Sequence, residues 1–531
     1  MCGIALIVGE DGNRDLFETM LDRIAARGEF REHACGPGFL AGTQRLAIVD
    51  REHAVQPWRS ADGRWLLCYN GEVFNHDEVR TQLRELGHEF RSASDTEVVL
   101  EAFLEWGEDA VARLRGEFAF AIVDTVTRDT FVARDPLGVK PLYVALRRGA
   151  LHVASEIKAL VPAGARIRAL PPGHHGWWRG GEDVEVRRYF DLYDELHRLG
   201  PITDPDEAVA AVRTALSDAI RVRLDTDLPV GVVLSGGLDS SLVLAHTARM
   251  HPDCVAFTIG APDSPDLAYA RRLTAELGVR HEIVDVGRGD IGPAAIREAI
   301  RVGELDEYGD IINAVVSIPL FRRIRDAGLK VVLTGDGSDE LFGGYPMYHT
   351  IGADAGDRLF AHKLLNLGRT ELQRVDRCAM GQGVETRVPF LDRDVVGLAM
   401  RIPLSLKISG AQEKWLVREA FADLLPDYIR TRPKAGMSYS SGLHDRARLF
   451  KPWFPRLHRA HGYDLHEPIR RDFDTLLTAA GDDLDLALAS GTRRRDYTPF
   501  ERGKDLLGAL RWNVQPAVQR AGRRLVSGTT N

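Results

Sequence analysis

Residues 234–241 read Leu-Ser-Gly-Gly-Leu-Asp-Ser-Ser, and this stretch decides the fold of the second half of the chain. It follows the apolar run Pro229–Leu234 and precedes a second apolar run that begins at Leu242. A glycine-rich turn between a buried strand and a helix points consecutive backbone N–H groups at an anion. The two glycines let the backbone approach closely, and the three serines add hydroxyl donors. The stretch predicts a phosphate-binding loop, but without the lysine of a Walker A motif, which disfavours kinase or GTPase chemistry.

The residues after this loop alternate between helical and strand-like segments. Glu207–Leu224 has apolar side chains at helical spacing, while Cys254–Ile259 and Leu329–Leu333 are short apolar runs typical of buried strands. Strands that alternate with helices indicate a doubly wound, mostly parallel sheet. The second half is therefore predicted to be an α/β domain that is mainly helical after Leu333.

The first 190 residues have a different pattern. Short apolar or alternating runs are separated by Gly, Asn and Asp, as in β-strands joined by turns. The predicted strands are Ile4–Val8, Leu46–Val49, Trp65–Tyr69, Phe118–Val123, Phe131–Ala133 and His152–Ala154. Helices are predicted at Asp77–Leu86 and Asp95–Trp106. This pattern indicates an α+β fold with packed antiparallel sheets, and the turn-rich Gly200–Pro205 predicts a connection to the second half near 191–206.

Composition excludes several classes of protein. The chain has 531 residues, of which 44% are hydrophobic and 27% charged, as in ordinary globular proteins of two to four domains. The net charge of −8 argues against nucleic acid as a partner, and no apolar run approaches the ~18–20 residues that span a bilayer. The N-terminus lacks the basic region of a signal peptide. Five scattered cysteines without a C-x-x-C pair fit neither a disulfide framework nor a zinc cluster, and we expect a reducing cytoplasm.

The chemistry of the first half begins at Cys2. If Met1 is removed, Cys2 offers a thiol nucleophile with its own α-amino group as a nearby base. Asn70-Gly71 follows the predicted strand Trp65–Tyr69. A side-chain amide and a backbone N–H at that point would form an oxyanion hole, although Asn-Gly alone is typical of a hairpin turn.

Further motifs in the first half stand in a recognisable order. They are Met1–Ile4, Arg45–Asp50, Gln56-Pro57, Asn70–Asn75, Ser94–Glu97, Gly116–Phe120, Arg134–Gly138, Pro141–Tyr143 and Ala154–Glu156. Together they resemble the glutaminase domain of class II glutamine amidotransferases, specifically that of the asparagine synthetase family. The resemblance implies an α+β N-terminal-nucleophile hydrolase fold with sandwiched antiparallel sheets.

The same resemblance implies roles for individual residues. Cys2 attacks the glutamine side-chain amide, and Asn70 and Gly71 hold the oxyanion. Arg45 pairs with the substrate carboxylate, a bidentate task that suits a guanidinium. The implied glutamine-binding residues are Arg45, Leu46, Ala47, Ile48, Val49, Asn70, Gly71, Glu72 and Asp95, with Glu72 and Asp95 at the α-ammonium end.

The second half carries the other motifs of the family. Leu234–Ser241 resembles the pyrophosphate loop of adenylating ATP pyrophosphatases, and Thr334–Tyr345 resembles the second ATP-site loop of asparagine synthetases. Further matching blocks are Glu385–Asp392, Glu413–Glu419 and Arg432–Lys434. The implied ATP-binding residues are Leu234, Ser235, Gly236, Gly237, Asp239, Ser240, Ile259, Thr334 and Gly335.

Five side chains carry the implied synthetase chemistry. Asp239 and Asp339 would hold Mg²⁺, which prefers oxygen ligands and is commonly held by one or two carboxylates plus phosphates. Lys414 matches the lysine that steadies the pyrophosphate and the adenylate. Asp336 supports formation of the acyl adenylate, and Arg387 is a candidate to bind the acidic acceptor or phosphate.

Two stretches depart from the family pattern. Ala26–Phe30 reads Ala-Arg-Gly-Glu-Phe where the family usually has His-Arg-Gly-Pro-Asp, and Thr43-Gln44 stands where a basic or histidine-containing lead is usual. We therefore expect the loop over glutamine to differ from that of the family.

The resemblance implies three regions: a glutaminase domain at 2–190, an ATP pyrophosphatase domain at 205–445 and a helical, partly basic extension at 446–531. Glutamine would release ammonia that passes through a tunnel to the second domain. There ATP would adenylate a carboxylate with release of pyrophosphate, and ammonia would displace AMP to leave an amide. Glutamine, ATP and aspartate are the expected small-molecule partners, aspartate being the default acceptor.

Several alternatives stay open. In one alternative, the acceptor is a different carboxylic acid in natural-product biosynthesis. In another, the enzyme is a β-lactam synthetase-like cyclase, and the presence of Cys2 and Asp336 argues against it. A glutamine-binding protein with an inactive synthetase is disfavoured by Asp339 and Lys414. A homodimer and a carrier protein are further partner hypotheses. The stretch Thr492–Arg524 has nine basic and three acidic residues, which indicates either a solvated helix or a dock for an acidic partner.

Overall fold

A computed structural model describes residues 1–9, 13–262, 264–285, 292–305, 308–349 and 353–434. The predicted extension 446–531, with its basic stretch, lies outside the described residues. Within the described ranges, no helix is both long enough and apolar enough to cross a membrane.

The first half of the chain is rich in strands. Its strands are β1 (Cys2–Val8), β2 (Phe30–Gly36), β3 (Phe39–Arg45), β4 (Trp58–Arg59), β5 (Trp65–Val73), β6 (Gly116–Asp124), β7 (Thr130–Arg134), β8 (Tyr143–Arg147), β9 (Ala150–Ala154), β10 (Ile167–Ala169), β11 (His174–Trp178) and β12 (Glu185–Arg188). Its helices are α1 (Arg14–Arg23), α2 (His76–Glu85), α3 (Asp95–Trp106), α4 (Ala110–Arg113), α5 (Ile157–Leu160) and α6 (Asp194–Leu199).

These strands form two antiparallel sheets that pack face to face. The strand orders are β10-β8-β9-β1-β3-β2 and β12-β11-β7-β6-β5-β4. Alternate residues of β1, Ile4, Leu6 and Val8, bury against Leu66 and Cys68 of β5 in the shared core, as the period of two in a strand requires. Helices α1 and α5 cover the outer face of one sheet and α3 that of the other. The predicted α+β N-terminal-nucleophile hydrolase fold is confirmed.

The second half alternates helices and strands. Its strands are β13 (Val230–Val233), β14 (Val255–Ile259), β15 (Arg280–Val284), β16 (Val331–Leu333) and β17 (Glu385–Arg387). Its helices are α7 (Pro205–Val222), α8 (Leu238–Met250), α9 (Pro265–Leu277), α10 (Pro293–Gly303), α11 (Tyr308–Asp326), α12 (Ser338–Phe342), α13 (Ala353–Leu367), α14 (Glu371–Met380), α15 (Arg393–Arg401), α16 (Leu404–Lys407), α17 (Trp415–Ala420) and α18 (Asp427–Arg430).

The five strands form a parallel sheet in the order β15-β14-β13-β16-β17. Apolar clusters cover both of its faces: one includes α7 and α8, and the other includes α10 and α11. This confirms the predicted doubly wound α/β architecture. The loop after β13 and the loop after β16 therefore meet at the carboxyl edge of neighbouring strands, where such sheets bind ligands.

One predicted strand was wrong, and one short strand was not predicted. Leu46–Val49 is no strand but an extended segment after β3, because Leu46 and Ile48 leave the sheet to pack against Val331 and Met380 of the second half. The region after Leu333 also contains β17, which pairs with β16 and is too short to stand out in the sequence.

Buried ion pairs join the two halves. Glu117 of β6 accepts hydrogen bonds from Arg223 Nε at 2.9 Å and from Lys140 Nζ at 3.2 Å. Arg27 donates to Asp376 of α14 at 2.8 Å and to Glu156 at 2.8 Å. The side chains of Arg27 and Asp376 are 1% and 2% exposed, so these pairs are screened little by solvent.

We predict that Glu117→Gln lowers the free energy of unfolding by about 3 kcal/mol, because it leaves buried Lys140 without a carboxylate and Arg223 with Asp392 alone. The control is Asp423→Asn, which removes a solvent-exposed pair with Arg213 and should change stability by less than about 1 kcal/mol. Thermal or urea unfolding of both variants is the measurement, and equal effects would contradict the prediction.

Candidate active sites

Cys2 is the first residue of β1 and borders a small cavity. Its backbone N–H donates to Asn70 Oδ1 at 3.0 Å, and Gln56 Nε2 lies 3.7 Å from its Sγ. Burial raises the pKa of the Cys2 thiol, and nearby Arg45 acts in the opposite direction. With Met1 present, the terminal ammonium pairs with Glu385 Oε2 at 2.9 Å; removal of Met1 stays a prediction.

The cavity beside Cys2 has a volume of about 30 Å³. Eight of the predicted glutamine-site residues line it, namely Arg45, Leu46, Ala47, Ile48, Val49, Gly71, Glu72 and Asp95. Asn70 is not in the lining. The lining also includes Gln56, Tyr69, Ser94 and Thr96, which the sequence analysis did not assign; Gln56 and Ser94 stood within its quoted motifs, which was the available signal.

Asn70 and Gly71 lie inside β5, which extends to Val73, and not in the hairpin turn that is typical of Asn-Gly alone. The Asn70 side-chain nitrogen is buried without a hydrogen-bond acceptor, so it is free to donate to a new oxygen. A Cβ at Gly71 would lie 2.4 Å from the backbone oxygen of Glu117. Only glycine fits between β5 and β6 at this position.

The acidic residues of the cavity differ in environment. Asp95 Oδ2 accepts from Tyr69 OH at 2.7 Å and from the backbone N–H of Val73 at 3.1 Å. Burial raises the pKa of the Glu72 carboxyl well above its usual range, while the Arg387 guanidinium, 3.5 Å away, acts against this shift.

Arg45 already has a carboxylate partner. Its Nε and Nη2 atoms donate to the two oxygens of Glu32, each at 2.9 Å, and Nη1 donates to the backbone oxygen of Arg51 at 3.1 Å. Glu32 belongs to β2, directly after the stretch in which the sequence departs from the family. The stretch that departs from the family pattern thus leads into a hairpin whose acid faces Arg45.

The predicted phosphate loop lies between β13 and α8. Gly236 has φ +70°, and a Cβ there would lie 2.8 Å from the backbone oxygen of Asp266. Ser240 Oγ lies 3.0 Å from Ser235 Oγ, which closes the turn. A second cavity of about 30 Å³ contains Ser235, Gly237 and Asp239 of this loop. Its remaining lining includes four cationic and two acidic side chains, namely Lys414, Arg418, Arg432, Lys434, Asp266 and Glu413.

Two loops bring acids and lysines together beside this cavity. Lys414 Nζ lies 2.5 Å from Asp239 Oδ2 and 2.5 Å from Asp339 Oδ1, and Lys434 also pairs with Asp339. Burial opposes ionisation, but the two lysines hold the pKa of Asp339 well below its usual range. Two converging carboxylates next to a phosphate loop fit Mg²⁺, which takes few protein ligands. No cluster of three or more His, Cys, Asp or Glu ligands occurs within the described residues.

The remaining predicted ATP residues border the same edge. Leu234 and Ile259 are buried at the ends of β13 and β14. A Cβ at Gly335 would lie 2.9 Å from the Cβ of Asp239, so the two loops touch. Asp336 accepts from Arg374 Nη2 at 3.3 Å.

The Arg387 side chain lies between the two halves. Its guanidinium donates to Glu385 at 2.7 Å and to the backbone oxygen of Arg223 at 2.7 Å, and it approaches Glu72 of the first cavity. Because side chains alternate along β17, Glu385 and Arg387 share the face that meets the first half. A role of Arg387 towards the acceptor or phosphate stays a prediction.

The chain matches two family models and known proteins. The family model "Glutamine amidotransferase domain" matches residues 1–189, and the model "Asparagine synthase" matches 211–359 and 350–478. Asparagine synthetase B [glutamine-hydrolyzing] of Escherichia coli (strain K12) is 35% identical over 422 residues, or 75% of this chain and 74% of that protein. The chain belongs to the glutamine-hydrolysing asparagine synthetase family. It is a carbon–nitrogen ligase of the asparagine synthase type.

Plant members of the family are similarly related to the chain. Asparagine synthetase [glutamine-hydrolyzing] 3 of Arabidopsis thaliana is 35% identical over 84% of this chain and 81% of its own length. The Sandersonia aurantiaca asparagine synthetase is 33% identical over 89% of this chain and 94% of its own length. The family relationship thus extends across both halves.

We predict that Gly71→Ala lowers the free energy of unfolding by about 1–3 kcal/mol, because the new methyl group forces β5 and β6 apart. Gly181→Ala is the control, since a Cβ there meets nothing within 4 Å. Thermal unfolding of the two variants measures the difference. If Gly71→Ala is as stable as the wild-type protein, a methyl group fits between β5 and β6 and the prediction is wrong.

Proposed function

We propose that this protein converts a carboxylic acid, aspartate by default, into its amide with nitrogen from glutamine and energy from ATP. One observation carries the proposal: a single residue connects the two candidate sites. The Arg387 side chain approaches Glu72 in the Cys2 cavity, and its backbone oxygen accepts from Thr334 N at 3.1 Å, in the second ATP loop. Two such sites joined so directly suit two half-reactions that share an intermediate. Five free thiols in the structure support a reducing, cytoplasmic location.

In the first half-reaction, Cys2 Sγ attacks the side-chain carbonyl carbon of glutamine. The α-amino group of Cys2, exposed once Met1 is removed, takes the thiol proton and passes it to the leaving ammonia. The unpaired Asn70 amide and the Gly71 N–H donate to the oxyanion. Water then hydrolyses the thioester to glutamate. Asp95 and Glu72 hold the α-ammonium group, and Arg45 faces the α-carboxylate.

Ammonia must then reach the second site without being protonated. An apolar cluster of Leu46, Ile48, Val331 and Met380 lies between the Cys2 cavity and β16. Since an apolar passage disfavours the charged form, this cluster suits neutral ammonia. It supports the proposal of a tunnel along the domain interface.

In the second half-reaction, the acceptor carboxylate attacks the α-phosphorus of ATP and pyrophosphate leaves. The glycine-rich loop N–H groups and Lys414 take up the negative charge that develops on the phosphates. Asp239 and Asp339 would hold Mg²⁺, which when bound neutralises the phosphates. Asp336 orients the acceptor, and ammonia displaces AMP from the acyl adenylate.

We predict that Cys2→Ala abolishes glutamate release from glutamine while free ammonium still supports amide formation, because the two sites are separate. Glutamate release and AMP formation, measured on the same preparation, check this outcome. Retained glutaminase activity in the variant would remove Cys2 from the mechanism.

We predict that Asp239→Asn and Asp339→Asn each lower the adenylation rate about 1000-fold, because charge next to pyrophosphate and Mg²⁺ is lost. The measurement is pyrophosphate release at increasing Mg²⁺ concentration, with glutamine hydrolysis as the internal control for folding. If either variant adenylates at the wild-type rate, the substituted carboxylate has no role at Mg²⁺ or pyrophosphate and only pairs with Lys414.

A further inference from the structure

The hairpin of β2 and β3 places an acid on the guanidinium proposed to bind glutamine. The register pairs Phe30 with Arg45, so Glu32, two residues further along β2, is the diagonal neighbour of Arg45 on the same face. Both oxygens of Glu32 accept from Arg45 at 2.9 Å. The Phe30 ring lies 5.1 Å from the guanidinium carbon. The same segment thus supplies a carboxylate to the edge of the guanidinium and a ring to its face.

Other contacts hold this pair in place. Glu32 Oε2 also accepts from the backbone N–H of Gln56 at 2.9 Å, and Gln56 in turn contacts the Cys2 thiol. Arg45 Nη1 is held by the backbone oxygen of Arg51. The side chains of Arg45 and Glu32 are 8% and 17% exposed, so the pair is screened only weakly by solvent.

Charge and space both oppose a second carboxylate here. Glutamine would bring its α-carboxylate to a guanidinium that Glu32 already neutralises. The cavity volume of about 30 Å³ is small for glutamine, which has ten non-hydrogen atoms.

Glu32 also lies close enough to Cys2 to act on the nucleophile. Burial is the main cause of the raised pKa of the Cys2 thiol, and the Glu32 carboxylate acts in the same direction. An acid at this position therefore opposes the thiolate as well as the substrate carboxylate.

We infer that Glu32 determines the choice of nitrogen donor, because it occupies the subsite for the α-carboxylate of glutamine and biases the enzyme towards free ammonium. The inference rests on the proposed function, in which Arg45 binds that carboxylate. It assigns the β2 hairpin a role in specificity: glutamine gains the contact with Arg45 only when its carboxylate displaces Glu32.

The test compares glutamine with glutamine α-amide, in which a neutral carboxamide replaces the α-carboxylate. Wild-type protein should hydrolyse both with kcat/KM values within about threefold, because Arg45 is not available to either. Glu32→Gln and Glu32→Ala should lower the KM for glutamine and raise the preference for glutamine over its α-amide by about 10- to 100-fold, the worth of a hydrogen bond to a charged group. Amide formation from ammonium should stay within twofold.

Asp22→Asn is the matched control, because Asp22 pairs with Arg31 of the same hairpin at the protein surface. It should leave the donor preference unchanged. A raised KM for glutamine in both Glu32 variants would overturn the inference and make Glu32 a positioning residue for Arg45. An unchanged preference, or no hydrolysis in either variant, would also overturn it. If neither donor supports AMP formation with any acceptor in the wild type, the proposed function itself fails.

Discussion

Buried charge at the interface between the two halves is the constraint on which the rest of the structure depends. Glu117, Arg223 and Asp392 form a chain of ion pairs that crosses from β6 to the start of α15. Arg27 and Asp376 form a second crossing near Cys2. Such pairs are costly to separate in a buried setting, so the halves are expected to move as one body.

This rigidity bears directly on the chemistry. The segment Leu46–Val49 lines the Cys2 cavity on one side and packs on Val331 and Met380 on the other. A rotation of one half relative to the other would open that apolar contact to water.

The sequence predicted the parts of the fold that repeat a local pattern. Alternation along β1 and β5 and the glycine-rich loop before α8 are both patterns of adjacent residues. The sheet classes follow from these patterns.

What the sequence could not predict depends on contacts between distant segments. The predicted role of Arg387 towards the acceptor or phosphate came from the resemblance of its motif, but its buried contacts with Glu385 and Glu72 depend on how distant segments pack around a three-residue strand. The pair of Glu32 and Arg45 depends on the register of a hairpin in a stretch without a family motif. Leu46–Val49 has the apolar content of a strand, and only the second half explains why it leaves the sheet.

We propose that the interface between the two halves holds the two sites so that ammonia passes between them without entering the solvent. The most direct test supplies amide-¹⁵N glutamine as the sole nitrogen donor, with an enzyme in solution that rapidly consumes free ammonia. The account predicts that labelled amide product still forms in a ratio to glutamate that the trap does not change, however slow glutamine hydrolysis is. Loss of the labelled product when the trap is added would show that ammonia leaves the protein between the sites, and would contradict the account.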